Sequence, residues 1–153
     1  MEIINALKVI LFSALPIIEI RGGIPLALSL GFNNLPAYLL SAVGNIIIIY
    51  PIFLMLNLLG EFFKKTPVLN TLFSKSTKRV LKRKDQYLKY GKYVLYLFVA
   101  IPLPTTGAWT ACLAAYIFNI PFKDSFWIIS IGVLTSGGII MILSHSTMSL
   151  FWQ

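Results

Sequence analysis

The sequence predicts an all-α integral membrane protein of two repeats. Each repeat is a broken hydrophobic segment, expected to be re-entrant, followed by a transmembrane helix, and a basic amphipathic cytoplasmic connector joins them. Three observations carry this. Of the 153 residues, 58% are hydrophobic and only 12% charged, far from the balance of a soluble domain, and several apolar runs approach the ~20 residues that cross a bilayer. The formal net charge of +8 sits entirely between Glu61 and Lys92, where ten basic residues face two acidic ones; the positive-inside rule places that stretch in the cytoplasm. The order of broken segment, Asn-Pro turn and unbroken span occurs twice. The expected organisation is therefore membrane repeat 1 over 1–60, connector over 61–92 and membrane repeat 2 over 93–153.

Segment one runs from Ile3 to Leu30 and holds Pro16-Ile17-Ile18-Glu19-Ile20-Arg21-Gly22-Gly23-Ile24-Pro25. A carboxylate and a guanidinium in an apolar run cost roughly 2.5–3.5 kcal/mol each on insertion scales, and such groups mark pathways and sites. Breaks are expected at Pro16 and from Gly22 to Pro25, because proline removes a helix donor and glycine weakens a helix interior. Broken backbone at membrane depth survives where protein or water satisfies its polar groups, so the stretch is expected to line a cavity.

A turn follows over Gly31-Phe32-Asn33-Asn34-Leu35-Pro36. Segment two, Ala37 to Leu59, reads as a span, with Gly44-Asn45 and Pro51 as its irregular points and Gly60 as its end. Asn45 and Asn57 are expected as interhelical hydrogen-bond partners. In the connector, Phe73, Val80-Leu81 and Tyr87-Leu88 recur seven apart among lysines and arginines. That spacing predicts a helix lying on an anionic leaflet, with Lys75 to Lys92 as the lipid contacts. Its place between two hydrophobic blocks argues against nucleic acid as the partner.

Segment three, Tyr93 to Tyr116, is broken at Pro102-Leu103-Pro104 and Gly107. Segment four, Phe126 to Ser144, carries Gly132 and Ser136-Gly137-Gly138, small residues suited to close helix packing. At an offset of 85, Gly22 meets Gly107, Asn34 meets Asn119 and Leu35-Pro36 meets Ile120-Pro121. Arg21 then falls on Thr106 and Glu19 on Pro104, so charge belongs to the first repeat alone. Matched breaks in two halves point to a transporter site at the repeat interface. Re-entrant segments would make the halves inverted; fully crossing segments would make four spans and parallel halves.

Cys112 is the single cysteine, which excludes an intramolecular disulfide and, with His145, suggests no metal cluster. His145 reads as an interfacial residue. No nucleophile triad, metal set or nucleotide loop is present, so no cofactor and no enzymatic activity are expected. The N-terminus lacks the form of a secretory signal, and Met1 onward is read as mature protein. A chain of this size has few helices to enclose a pathway, so a homodimer is expected.

The stretch Glu19-Ile20-Arg21-Gly22-Gly23-Ile24-Pro25, followed after a basic connector by Pro102-Leu103-Pro104-Thr105-Thr106-Gly107-Ala108-Trp109-Thr110-Ala111, resembles the small multi-drug export family of small prokaryotic membrane proteins. The resemblance covers essentially the whole chain. The duplicated layout is also similar to the DedA superfamily, which implies paired re-entrant helices and lipid-carrier translocation. This chain departs from that pattern in having no arginine after Pro104.

The expected pathway residues are Glu19, Arg21, Gly22 and Gly23 from the first repeat and Thr105, Thr106, Gly107 and Trp109 from the second. Positions two apart share a side only in extended or turning backbone, so a Glu19–Arg21 pair argues for non-helical structure there. Burial raises a carboxylate's pKa and a neighbouring guanidinium lowers it, two opposed effects. Arg21 and the Gly22-Gly23 amides could receive a phosphate or carboxylate. The leading expectation is a plasma-membrane, multi-pass transporter that exports an amphipathic or lipid-like solute, coupled to protons through Glu19. The alternatives are a DedA-like lipid-carrier flippase or scramblase, and a non-transporting factor that organises the membrane.

Overall fold

The computed structural model describes residues 2–65, 93–102 and 107–151. All regular structure among them is helical. The helices are α1 (Glu2–Ser13), α2 (Glu19–Ser29), α3 (Asn34–Ile47), α4 (Ile49–Lys65), α5 (93–100), α6 (Ala108–Ile117) and α7 (Phe122–Phe151). Two stretches are long and apolar enough to cross a membrane, Asn34–Leu58 and Phe122–Ser144. At 1.5 Å per residue, α1, α2 and α6 are each only about 15–18 Å long, roughly half the hydrocarbon core of a bilayer.

The first segment breaks at residues 14–18, around Pro16, as expected. The second expected break is absent. Helix α2 starts at Glu19 and runs through Gly22, Gly23 and Pro25. Pro25 has no N–H to give the Arg21 carbonyl, but the loss of one rung is tolerated, since Leu30 N–H still closes on the Leu26 carbonyl at 3.0 Å. Gly23 earns its place by packing: a Cβ there would collide with the Ser13 hydroxyl and crowd Ser41. Its absence lets α1, α2 and α3 approach one another closely.

Segment two divides at Ile48 into α3 and α4. The cause lies three residues on: Pro51 cannot donate to the Ile47 carbonyl. Gly60 does not end this segment, because α4 continues to Lys65. Asn57 is exposed, whereas Asn45 is buried. In the second half, α5 stops before Pro102, which bears out the break there. Pro104, Thr105 and Thr106 lie outside the described residues, as does the amphipathic stretch from Phe73 to Leu88 with the proposed lipid contacts Lys75 to Lys92.

Helices α2 and α6 end in the same way. Gly31, at φ 87°, sends its N–H to the Leu28 carbonyl (3.0 Å), and Phe32 N–H reaches the Ala27 carbonyl (3.1 Å). Asn119, at φ 53°, donates to the Tyr116 carbonyl (3.2 Å), and Ile120 to that of Ala115 (2.9 Å). Both are Schellman caps, in which a left-handed residue turns the chain back and satisfies the last carbonyls. In each, glycine or asparagine stands where the left-handed conformation costs least. The helices beyond each cap then pack on the other half: α7 lies against α2 and α3, and α4 against α6. The larger core cluster holds Ile20, Ile24 and Ile49 together with Val99, Cys112, Ile129 and Val133, and a smaller one holds Val9, Ala27 and Ala37.

Candidate functional site

The site is built where the N-terminal ends of two half-length helices meet. The first four N–H groups of a helix have no partner within it. At the start of α6 the capping position is Gly107, which has no side chain to supply one. Glu19 supplies it from the other half of the chain. Its carboxylate accepts the Trp109 N–H at 3.4 Å, with a further backbone hydrogen bond from Ala108. An anion at a helix N-terminus also complements the helix dipole. The Thr110 hydroxyl completes the cap, accepting the Gly107 N–H at 2.9 Å.

Glu19 is held for this role. It is 6% exposed and lies at φ 47°, a conformation that costs a non-glycine residue roughly 1–2 kcal/mol. Strain of this kind persists where the surroundings over-determine it, and it gathers at functional sites. Gly107 is equally determined: a Cβ on it would run into the Glu19 carboxylate. Trp109 ties the second contact, its indole N–H donating to the Ala14 carbonyl at 3.0 Å. That carbonyl lies in the break between α1 and α2, where helical partners run out.

Arg21 is half-buried and electrostatically coupled to Glu19. The fold thus brings together Glu19, Arg21, Gly107 and Trp109 from the sequence-derived set. Gly22 and Gly23 are present but act differently from the expectation. Both lie inside α2, and Gly22 N–H is committed to the Ile18 carbonyl at 2.9 Å, so the pair does not offer an anion its amides. The helix-end amides that matter are those of Ala108 and Trp109 of α6, which Glu19 caps. The Glu19–Arg21 coupling arises with both residues in α2, Glu19 alone of the two having a positive φ.

Sequence reasoning missed several neighbours. Ser13 and Ser41 are fully buried and both face Gly23. Asn45, expected to bridge helices, is 1% exposed with no hydrogen-bond partner for its Oδ1. Cys112 lies buried close enough to Glu19 to feel its charge. One signal for the first three was available: small polar residues spaced four apart within apolar helices, as in Ser41 and Asn45.

The family comparison extends over this whole arrangement. A family described as "Putative small multi-drug export protein" matches residues 19–139, from Glu19 at the start of α2 to Ile139 in α7. This chain belongs to that family. No curated protein and no solved structure matches it. The export family's name and the two apolar spans together describe a membrane protein. Large apolar side chains stay exposed on the fold, among them Ile3, Leu7 and Leu11 on α1 and Trp127, Ile131 and Ile142 on α7, as a membrane protein allows.

Proposed function

We propose that this small multi-drug export family member is a secondary transporter that moves an amphipathic or lipid-like solute across the membrane, coupled to protons through Glu19. The observation that carries the proposal is the Glu19 cap on α6. An ionised Glu19 occupies the N-terminal amides of Ala108 and Trp109 and faces Arg21. A protonated Glu19 holds both less strongly, and leaves them to an anionic group of the solute. Half-helix N-termini that point at anionic groups are a recurring device of transporters.

A groove beside this cap supports an amphipathic solute. It has a volume of about 160 Å³ and is lined mainly by apolar side chains, among them Val94, Phe98, Leu113 and Phe118, with Thr110 also in its wall. Thr110 is the residue that completes the α6 cap. A solute with its head at Glu19 and Arg21 would have an apolar surface for its tail within one helix length.

The re-entrant, inverted layout belongs to the same proposal. Its support is threefold. Helices α1 and α2 pack on each other across a five-residue break, and each is about half a bilayer long. The Schellman caps at Gly31 and Asn119 stand 88 positions apart, as do the helix starts Asn34 and Phe122. Gly44 abuts α1 at Ile10, and Gly132, again 88 positions on, abuts α5 at Tyr96 and Val99. The 85-residue register of the sequence comparison aligns Gly22 with Gly107; a register of 88 sets Glu19 opposite Gly107, the two residues in contact.

The test is transport by Glu19→Gln in liposomes with an imposed pH gradient. Gradient-driven flux is expected to vanish. Undiminished flux sinks the proton role, and flux that never depended on a gradient favours a lipid flippase or scramblase.

A further inference from the structure

We propose that Ser13, Ser41 and Asn45, with Glu19, form a binding site for a small monovalent cation, Na⁺ being the natural candidate. The first observation is a pair of orphaned oxygens. Ser41 is fully buried and its hydroxyl has no hydrogen-bond partner; Asn45 is 1% exposed and its Oδ1 has none either. Buried polar atoms are nearly always paired, and an unpaired one calls for an ion or water. Three other helical hydroxyls of this chain bond back to the preceding turn. Ser13 donates to the Val9 carbonyl (2.7 Å), Ser29 to Leu26 (2.7 Å) and Thr135 to Ile131 (2.9 Å). Ser41 makes no such bond to the preceding turn.

The second observation is how the fold gathers these atoms. Both the Ser13 and Ser41 hydroxyls crowd the point where Gly23 would carry a Cβ. Helices α2 and α3 are joined by the short turn after Ser29, pack on each other and therefore run antiparallel. Stepping four residues back from Gly23 reaches Glu19; stepping four on from Ser41 reaches Asn45. Both steps go the same way along the pair, about 6 Å. Ser13 and Ser41 thus form one level of the site, and Asn45 and Glu19 the next.

The chemistry fits a hard cation. All the atoms are oxygens, and the ligand types are hydroxyl, amide carbonyl and carboxylate. Ser13 is also the last residue of α1, where the negative end of the helix dipole favours a cation. Broken helices of transporters place coupling ions at such C-terminal ends. The charge available is one carboxylate, and Arg21 competes for it. A divalent ion would add two charges against that one shared carboxylate, a monovalent ion only one.

The site shares Glu19 with the proposed proton role, so its test is made at fixed pH and measures binding without transport. The full chain, in nanodiscs at fixed pH, is melted in NaCl and in choline chloride of equal ionic strength, and ²²Na⁺ retention is counted. Na⁺ is expected to raise the melting temperature in a saturable way, since a ligand that binds the folded state alone stabilises it. Ser41→Ala and Asn45→Ala should each weaken half-saturation at least tenfold, whereas Ser130→Ala, at another orphaned buried hydroxyl, should leave it unchanged. Should a variant fail to fold in choline, ²²Na⁺ retention by the wild-type chain still decides. Equal melting in both salts with no retained ²²Na⁺ overturns the proposal, as does unchanged Na⁺ binding in folded Ser41→Ala and Asn45→Ala.

Discussion

Glu19 and Trp109 stand 90 residues apart in the chain, yet the carboxylate of one accepts the backbone N–H of the other at 3.4 Å. The contact joins the start of α2 to the start of α6. It makes one ionisable side chain both the cap of a helix and the charge of a site. Its two roles separate by substitution. Glu19→Gln keeps an acceptor oxygen and should lower the melting temperature little. Glu19→Ala removes the cap and should cost about 1 kcal/mol, the usual loss at an N-cap. Thermal melts of the two, beside their transport rates, check this: both should fail in proton-driven transport, and only alanine should be clearly less stable.

Gly107 and Gly138 are predicted to respond oppositely to alanine. A Cβ at Gly107 has nowhere to go but into the Glu19 carboxylate, while one at Gly138 meets nothing. Gly107→Ala should displace Glu19 from the α6 N-terminus and abolish transport. Gly138→Ala should be neutral or stabilising by up to about 1 kcal/mol, since alanine is the better helix former. Parallel melts and flux assays of the two variants test the contrast.

Trp109→Phe keeps the ring and removes the indole donor to the Ala14 carbonyl. A hydrogen bond of this kind contributes about 1 kcal/mol net, and the stranded acceptor adds to the loss. The variant should fold, melt lower and release the break at residues 14–18. Faster labelling of a cysteine placed at Ala14, relative to the same cysteine beside Trp109, is the expected readout.

The Gly44 and Gly132 contacts should be unequal in cost. A Cβ on Gly44 meets the backbone of Ile10 alone, whereas the nearest atom to one on Gly132 is the Val99 side chain, which can move in part. Overpacking costs about 1–3 kcal/mol, so Gly44→Ala should fall at the upper end and Gly132→Ala lower. Melting temperatures of the pair decide it.

Topology is read by cysteine accessibility in a Cys112→Ser background, scanning Ala14 to Ala27 from each side of the membrane. A re-entrant α1–α2 unit predicts that both ends of the stretch label from the same side, with Ile17, 94% exposed at the tip, the least accessible to water-soluble reagents. Labelling of the ends from opposite sides would establish a full crossing instead.

The membrane class was legible in the chain alone, as were the charged residues of the candidate site. Hydrophobic runs, the basic block from Lys64 to Lys92 and the charges of Glu19 and Arg21 are local features, and the bilayer reads them one residue at a time. The break at Pro16 and the stop before Pro102 were legible for the same reason, because proline acts on its own turn. Pro25 and Gly22-Gly23 were misread as a break, because whether a helix survives a weak residue depends on what packs against it, here Ser13 and Ser41 on Gly23. Only the tertiary structure decided that Glu19 caps α6. An N-terminus needs an acceptor, Gly107 cannot provide one, and nothing local to Gly107 says that a carboxylate 88 positions earlier will. That the two broken segments would meet was an expectation from their matched breaks; which atoms meet was settled by helix packing, which sets the Glu19 carboxylate against the α6 N-terminus.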